Sequence, residues 1–240
     1  MVDVQVDFCE GGALGVDGGI RVATDIAELL AGGHGYDAVV ATRDHHIDPG
    51  AHFSATPDFV DSWPPHCVVG TPGQELHPAL AGFGFDAVFD KGTFEAAYSG
   101  FEGATADGVP LARWLGLRGI TDVDVCGIAT DYCVAATATD AASEGFRTTV
   151  LTSLTAAVHA ASTGAVHLRL REAGVTVEAR PSAEAPGTRP ITPVHGFGYI
   201  GSRCLALVTT VRNPAPGCLD VPNVTPRVTD PHPPTWENDT

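Results

Sequence analysis

Short runs of β-branched and apolar residues recur along the first 180 positions, separated by stretches whose apolar residues fall three or four apart. The runs Val2 to Val6, Tyr36 to Thr42, Phe85 to Phe89, Val123 to Ile128, Thr148 to Leu151 and Val175 to Val177 read as strands. Between them Val22, Ile26, Leu29 and Leu30 share one helical face, as do Val166, Leu170 and Ala173, and the alanine-rich stretch Val134 to Glu144 predicts a further helix. Gly145 and Gly174 stand where a left-handed residue would close the last two helices. Alternation of strand and helix predicts a three-layer α/β/α fold with a mainly parallel, roughly six-stranded sheet. In such sheets ligands bind beyond the carboxyl ends of the strands, so those ends are where chemistry is sought.

The pattern lapses after residue 180. Residues 181 to 240 hold 11 of the 18 prolines, which removes backbone donors and interrupts any regular element. This segment is expected to be an extension without regular structure, with Cys204 to Val208 as the one apolar stretch suited to a short strand. The chain therefore divides into a domain over 1–180 and an extension over 181–240. Charge narrows the function classes. Thirteen basic against 29 acidic side chains give a net −16, which disfavours nucleic acid and anionic membrane surfaces as partners. No apolar run is long enough to span a bilayer, and Met1-Val2-Asp3 has neither the basic nor the apolar region of a secretory signal. The six cysteines are then expected to be reduced thiols in a cytoplasmic protein.

The strand ends carry the candidate chemistry. Asp3 lies in the first apolar run, where a carboxylate is costly unless it is paired or used. After the second run come Asp44, His45, His46 and His52, and fourteen residues further on His66; four of the ten histidines fall within 22 residues. Asp44 and His46 leave the same face of an extended segment, and with His52 and His66 they make a plausible set for Zn²⁺, Fe²⁺ or Mn²⁺. Solvated loop histidines are the plainer alternative, because the spacing matches no standard zinc pattern. Lys91, at the end of the third run, is the sole lysine of the chain, which points to a role for a compact charge, with chance survival as the alternative. Cys133 falls in the first turn of the alanine-rich helix, where the helix dipole favours a thiolate and free N–H groups suit an oxyanion; Cys126, inside its strand, reads as structural. Gly196 to Gly201 fits a dinucleotide-binding spacing literally, but no strand precedes it and prolines surround it, so it is set aside.

An Asp, a Lys and a Cys at three strand ends, beside a histidine loop, resemble the nicotinamidase/pyrazinamidase branch of the isochorismatase-like cysteine hydrolases. The resemblance rests on Asp3-Val4-Gln5-Val6-Asp7-Phe8, Asp44-x-His46-x5-His52, Trp63-Pro64-Pro65-His66-Cys67, Lys91-Gly92 with Tyr98-Ser99-Gly100-Phe101, and Gly127-Ile128-Ala129-Thr130-Asp131-Tyr132-Cys133. It covers about residues 1 to 178 and implies Cys133 as nucleophile, Asp3 as general base and later acid, and Lys91 as the cation that tunes both. It further implies one divalent transition metal on Asp44, His46, His52 and His66, and an oxyanion hole from the N–H groups of Ala129 and Cys133, with a cis peptide before Ala129. Phe8, Trp63 and Tyr98 would hold the substrate, a small molecule taken to be nicotinamide; a homo-oligomer is compatible with the sequence. Features that depart from the family include Val6, where many relatives carry Asn, His45, where an aromatic residue is usual, and the proline-rich extension, which has no counterpart. Cleavage of another small amide or a carbamoyl group, or an inactive remnant, are the competing readings.

Overall fold

The computed structural model describes residues 1–180 and the backbone of residues 202–205. Its regular elements, in chain order, are α1 (Gly19–Ala31), β1 (Val40–Asp44), β2 (Ala87–Lys91), α2 (Leu111–Leu117), β3 (Ile120–Ile128), α3 (Ala135–Ser143), β4 (Arg147–Ala156), α4 (Thr163–Glu172), β5 (Thr176–Glu178) and β6 (Ser202–Leu205). Every strand pairing among the described residues is parallel, in the orders β1-β2 and β5-β4-β3-β6. The two ladders meet through Val2, which bridges Thr42 on one side and Gly127 on the other. Val2 N–H donates to the Cys126 carbonyl at 2.8 Å, and Ile128 N–H donates to the Val2 carbonyl at 2.9 Å. Gly127 permits that approach: a Cβ there would lie 2.0 Å from the Val2 carbonyl oxygen.

Strand residues alternate between two cores, as the pleat requires. Ala41, Cys126, Ile128 and Leu151 pack with Val22, Ala23, Ile26 and Leu30 of α1. Val40, Val123, Val125 and Val150 pack instead with Leu111, Trp114 and Leu115 of α2, Ala138 of α3, and Val166 and Leu170 of α4. Helices thus cover both faces, and the α/β/α layering follows. Gly145 and Gly174 adopt φ of +91° and +83°, the left-handed closures expected for α3 and α4.

Four expectations need correction. A single six-stranded ladder is not what forms, because the first run is not a strand over Val2 to Val6: Asp3 turns off at φ +47° and Val6–Phe8 is a 3-10 turn. The second and third strands begin later than their apolar runs and end on Asp44 and Lys91, which face each other in register. Helix α2 was not foreseen; it is short, contains Gly116, and is anchored by buried Trp114, over which the Arg118 guanidinium sits at 3.5 Å. Within the extension expected to lack regular structure, Ser202–Leu205 form a strand against Ile120–Asp124 of β3, including Cys204 and Leu205 of the foreseen apolar stretch. The Gly196 to Gly201 motif and Ala206 to Val208 lie outside the described residues.

Candidate active site

The sheet delivers four charged or nucleophilic side chains to one place. Asp3 follows the bridging Val2, Asp44 ends β1, Lys91 ends β2, and Cys133 sits in the turn between β3 and α3. All four are buried. The Lys91 ammonium lies 3.1 Å from Asp3 Oδ2, contacts Asp44 Oδ1, donates to the Ala97 carbonyl at 2.9 Å and stands 3.9 Å from Cys133 Sγ. Asp3 Oδ1 accepts the Thr42 hydroxyl at 2.6 Å, whereas Oδ2 faces the ammonium without an aligned hydrogen bond.

The electrostatics follow from burial and from this single cation. Burial works against the charge of Lys91, but Asp3 and Asp44 outweigh it and hold its pKa well above the usual lysine range. Burial likewise opposes ionisation of Asp44, yet Lys91 and then His46 hold its carboxyl well below the usual carboxylate range. Asp3 goes the other way: burial, opposed by Lys91 but reinforced by Asp44, raises it. Burial raises the Cys133 thiol well above the ordinary value despite Lys91, with Asp3 and Asp44 adding to the effect. This corrects the expectation of a thiolate favoured by a helix dipole. Cys133 belongs to a π-helical turn, Thr130–Val134, that precedes α3, and its burial, with Asp3 and Asp44 beside it, keeps the thiol high.

Beside Asp44 lie three buried imidazoles, His46, His52 and His66, whose candidate ligand atoms all fall within 4.8 Å of one another. His46 Nδ1–H donates to the Gly92 carbonyl and His66 Nδ1–H to the Pro64 carbonyl, since a carbonyl only accepts. Each ring therefore turns Nε2 toward Asp44 Oδ2, at 3.5 Å from His46 and 3.8 Å from His66. His46 Nε2 and His52 Nδ1 are buried without a hydrogen-bond partner. Buried nitrogen lone pairs with no donor, grouped around an ionised carboxylate, are the donor set of a divalent transition metal, so these residues fit such an ion. Gly92 is required here: at φ +75° its carbonyl reaches His46, and a Cβ would stand 2.7 Å from the imidazole.

Phe8, Trp63, Tyr98 and Ala129 line one cavity together with His52 and Cys133. Trp63 Nε1–H donates to the Tyr98 hydroxyl at 3.2 Å, and Tyr132 meets the Trp63 ring edge to face at 5.1 Å. The peptide bond between Ile128 and Ala129 is cis. His45 lies outside the imidazole cluster: it receives the Gln74 amide at 2.7 Å and faces Asp90 at 3.4 Å.

The first 181 residues match the family model described as the isochorismatase domain. The chain belongs to the isochorismatase family. Within that family it is 55% identical over 175 residues to the nicotinamidase/pyrazinamidase of Mycobacterium tuberculosis, covering 73% of this chain and 94% of that protein. It is 36% identical to the nicotinamidase of Escherichia coli, covering 63% of this chain and 79% of that one. Among solved structures, PnC1 from L. infantum in complex with nicotinate is similar at 37% identity and a TM-score of 0.63, over 74% of this chain and 89% of that one. The pyrazinamidase of Pyrococcus horikoshii in complex with zinc is similar at 32% identity and a TM-score of 0.61, over 74% and 95%.

Sequence reasoning missed three supporting groups of this isochorismatase-family site. Thr42 holds Asp3, Asp7 Oδ2 accepts the Cys67 N–H at 2.8 Å next to His66, and Gln5 binds the backbone of Asp44. The signal available for Asp7 and Gln5 was polarity inside the opening run, on both sides of Val6.

Proposed function

We propose that this chain is a metal-dependent cysteine amidohydrolase that converts nicotinamide to nicotinate and ammonia, and accepts pyrazinamide, which carries the same carboxamide on a diazine ring. The observation that carries this reading is one cavity lined by Cys133, Asp44, His52 and His66, with Lys91 behind it in contact with Asp3, Asp44 and Cys133, and His46 completing the buried imidazole cluster. Such an activity salvages nicotinamide for NAD. The catalytic groups all lie between Asp3 and Cys133, so we assign the hydrolase domain to residues 1–180 and treat 181–240 as an extension. The cysteines described, Cys9, Cys67, Cys126 and Cys133, are free thiols, in keeping with a cytoplasmic enzyme.

The resting thiol is protonated and Asp3, with its raised pKa, is a competent base. Asp3 takes the Cys133 proton as sulfur adds to the carboxamide carbon, and Lys91 stabilises the negative charge that remains on the pair. The N–H groups of Ala129 and Cys133 receive the developing oxyanion. Asp3 then gives its proton to the departing nitrogen, ammonia leaves, and a nicotinoyl thioester stays on Cys133. Water, deprotonated by Asp3, attacks the thioester; the carbon–sulfur bond breaks and Cys133 regains its proton. Trp63, Phe8 and Tyr98 enclose the ring and exclude bulk water. Asp44, His46, His52 and His66 would hold a zinc, iron or manganese ion, which supplies Lewis-acid contact to the ring nitrogen and fixes its position.

Purified protein is expected to release ammonia from nicotinamide, while Cys133→Ala, folded alike, releases none. Ammonia from an N-carbamoyl compound but not from nicotinamide would place the chain in a different branch of the family.

A further inference from the structure

Asp44, a proposed metal ligand, ends β1, and its backbone pairs with Lys91 of β2 on one side only. On the other side runs the N-terminal lane, which bridges β1 at Val2 and then departs, because Asp3 turns at φ +47°. No backbone neighbour of that lane continues beside Asp44. The Gln5 side chain occupies the gap. Its Oε1 accepts the Asp44 N–H at 2.8 Å, and its Nε2 donates to the Asp44 carbonyl at 2.9 Å and to the Gln74 carbonyl at 2.8 Å. The carboxamide is fully buried and has both donors and its acceptor engaged. Gln5 also bridges Leu76 through its backbone, and Gln74 in turn donates to His45, the neighbour of both Asp44 and His46.

We propose that Gln5 is a positioning residue that sets the affinity of the metal site, its carboxamide replacing the missing strand beside Asp44. This rests on reading Asp44, His46, His52 and His66 as metal ligands. The side chain ties the end of β1, which carries Asp44 and leads directly into His46, to the segment after His66, so two ligand-bearing stretches are held at a fixed separation. Ordering that is built in before the ion arrives does not have to be bought from the binding free energy. A deletion of the carboxamide leaves the Asp44 N–H and C=O buried without partners, and they regain them by moving, which displaces the carboxylate.

Zinc affinity, measured on the full-length metal-stripped protein by competition with a chromophoric chelator, tests this directly. Gln5→Met keeps the length and volume of the side chain and removes all three hydrogen bonds. It is expected to weaken Zn²⁺ binding about ten- to a hundred-fold, the range seen when groups supporting metal ligands are lost. Its kcat should recover in excess zinc with KM for nicotinamide near the parent value. Leu170→Ala, on the buried face of α4 and outside the imidazole cluster, reports the effect of lowered stability alone and should bind zinc as the parent does. Parent-like affinity in Gln5→Met, or equal weakening in Leu170→Ala, overturns the proposal. If Gln5→Met is insoluble, Gln5→Glu retains the acceptor toward Asp44 N–H and loses both donations; it should also weaken binding, and parent-like affinity there overturns the proposal equally. A parent protein that takes up no zinc contradicts the metal site itself, and with it this inference.

Discussion

The two clusters that share Asp44 are built on opposite principles. The Asp3, Asp44 and Lys91 cluster is a set of buried charges that satisfy one another, with Cys133 protonated at its edge. The His46, His52 and His66 cluster is a set of buried imidazoles, in which His46 Nε2 and His52 Nδ1 have no hydrogen-bond partner. Removing a member from the first leaves an uncompensated charge; the second lacks a partner until an ion supplies it. On the proposed reading the first cluster carries proton transfer and covalent chemistry, and the second binding and stability.

Breaking the charged cluster should have the largest effect. Lys91→Met strands two carboxylates beside a raised thiol, and loss of one partner from a buried ion pair costs about 3–5 kcal/mol. Turnover should vanish and the melting temperature drop sharply, as read by calorimetry. Lys91→Arg, which keeps the charge, should still be severely impaired, since a planar guanidinium is too large to stand between Asp3, Asp44 and Cys133 as a compact charge. Near-normal turnover in Lys91→Arg would show that charge alone suffices.

Breaking the imidazole cluster should have a moderate and reversible effect. A strong chelator should inactivate the enzyme and lower its melting temperature, because a ligand held only by the native state at a hundred times its Kd contributes about 2.7 kcal/mol. The stripped protein should in addition become acid-sensitive. Burial, with His66 and His46 nearby, lowers the His52 pKa from 6.5 to about 4. An unfolded chain takes that proton below about 6.5 and the folded one refuses it until about 4, so stability falls as pH drops through this window. Thermal scans of the stripped protein should show that decline, and His52→Asn should flatten it. A slope unchanged in His52→Asn would remove His52 as its source.

How much of this was legible in the sequence depended on whether a residue announced itself by chemistry or by context. Asp3, Asp44, His46, His52, His66, Lys91 and Cys133 were singled out because titratable and nucleophilic groups are conspicuous at strand ends, and the structure brings all seven together. Phe8, Trp63, Tyr98 and Ala129 were placed by family resemblance, and they line the same cavity. The strand ends themselves were misjudged at Asp44 and Lys91, because an apolar run stops where the site begins although the ladder continues. Gln5 and Thr42 act through hydrogen bonds to groups about forty residues away, and no local pattern reports such a contact. The first run failed as a strand because the chain turns left-handed at Asp3, a conformation rare for a non-glycine residue that an apolar run does not announce. Helix α2 is held by Trp114 and Leu115 rather than by a periodic face of useful length.

The division of labour between the two clusters is tested most directly by measuring bound zinc and nicotinamide turnover together in Cys133→Ala and His52→Ala. The account predicts that Cys133→Ala keeps the parent's zinc and loses all turnover, whereas His52→Ala loses zinc and regains part of its turnover when zinc is supplied in excess. Turnover persisting in Cys133→Ala, or zinc bound equally by His52→Ala and the parent, would contradict it.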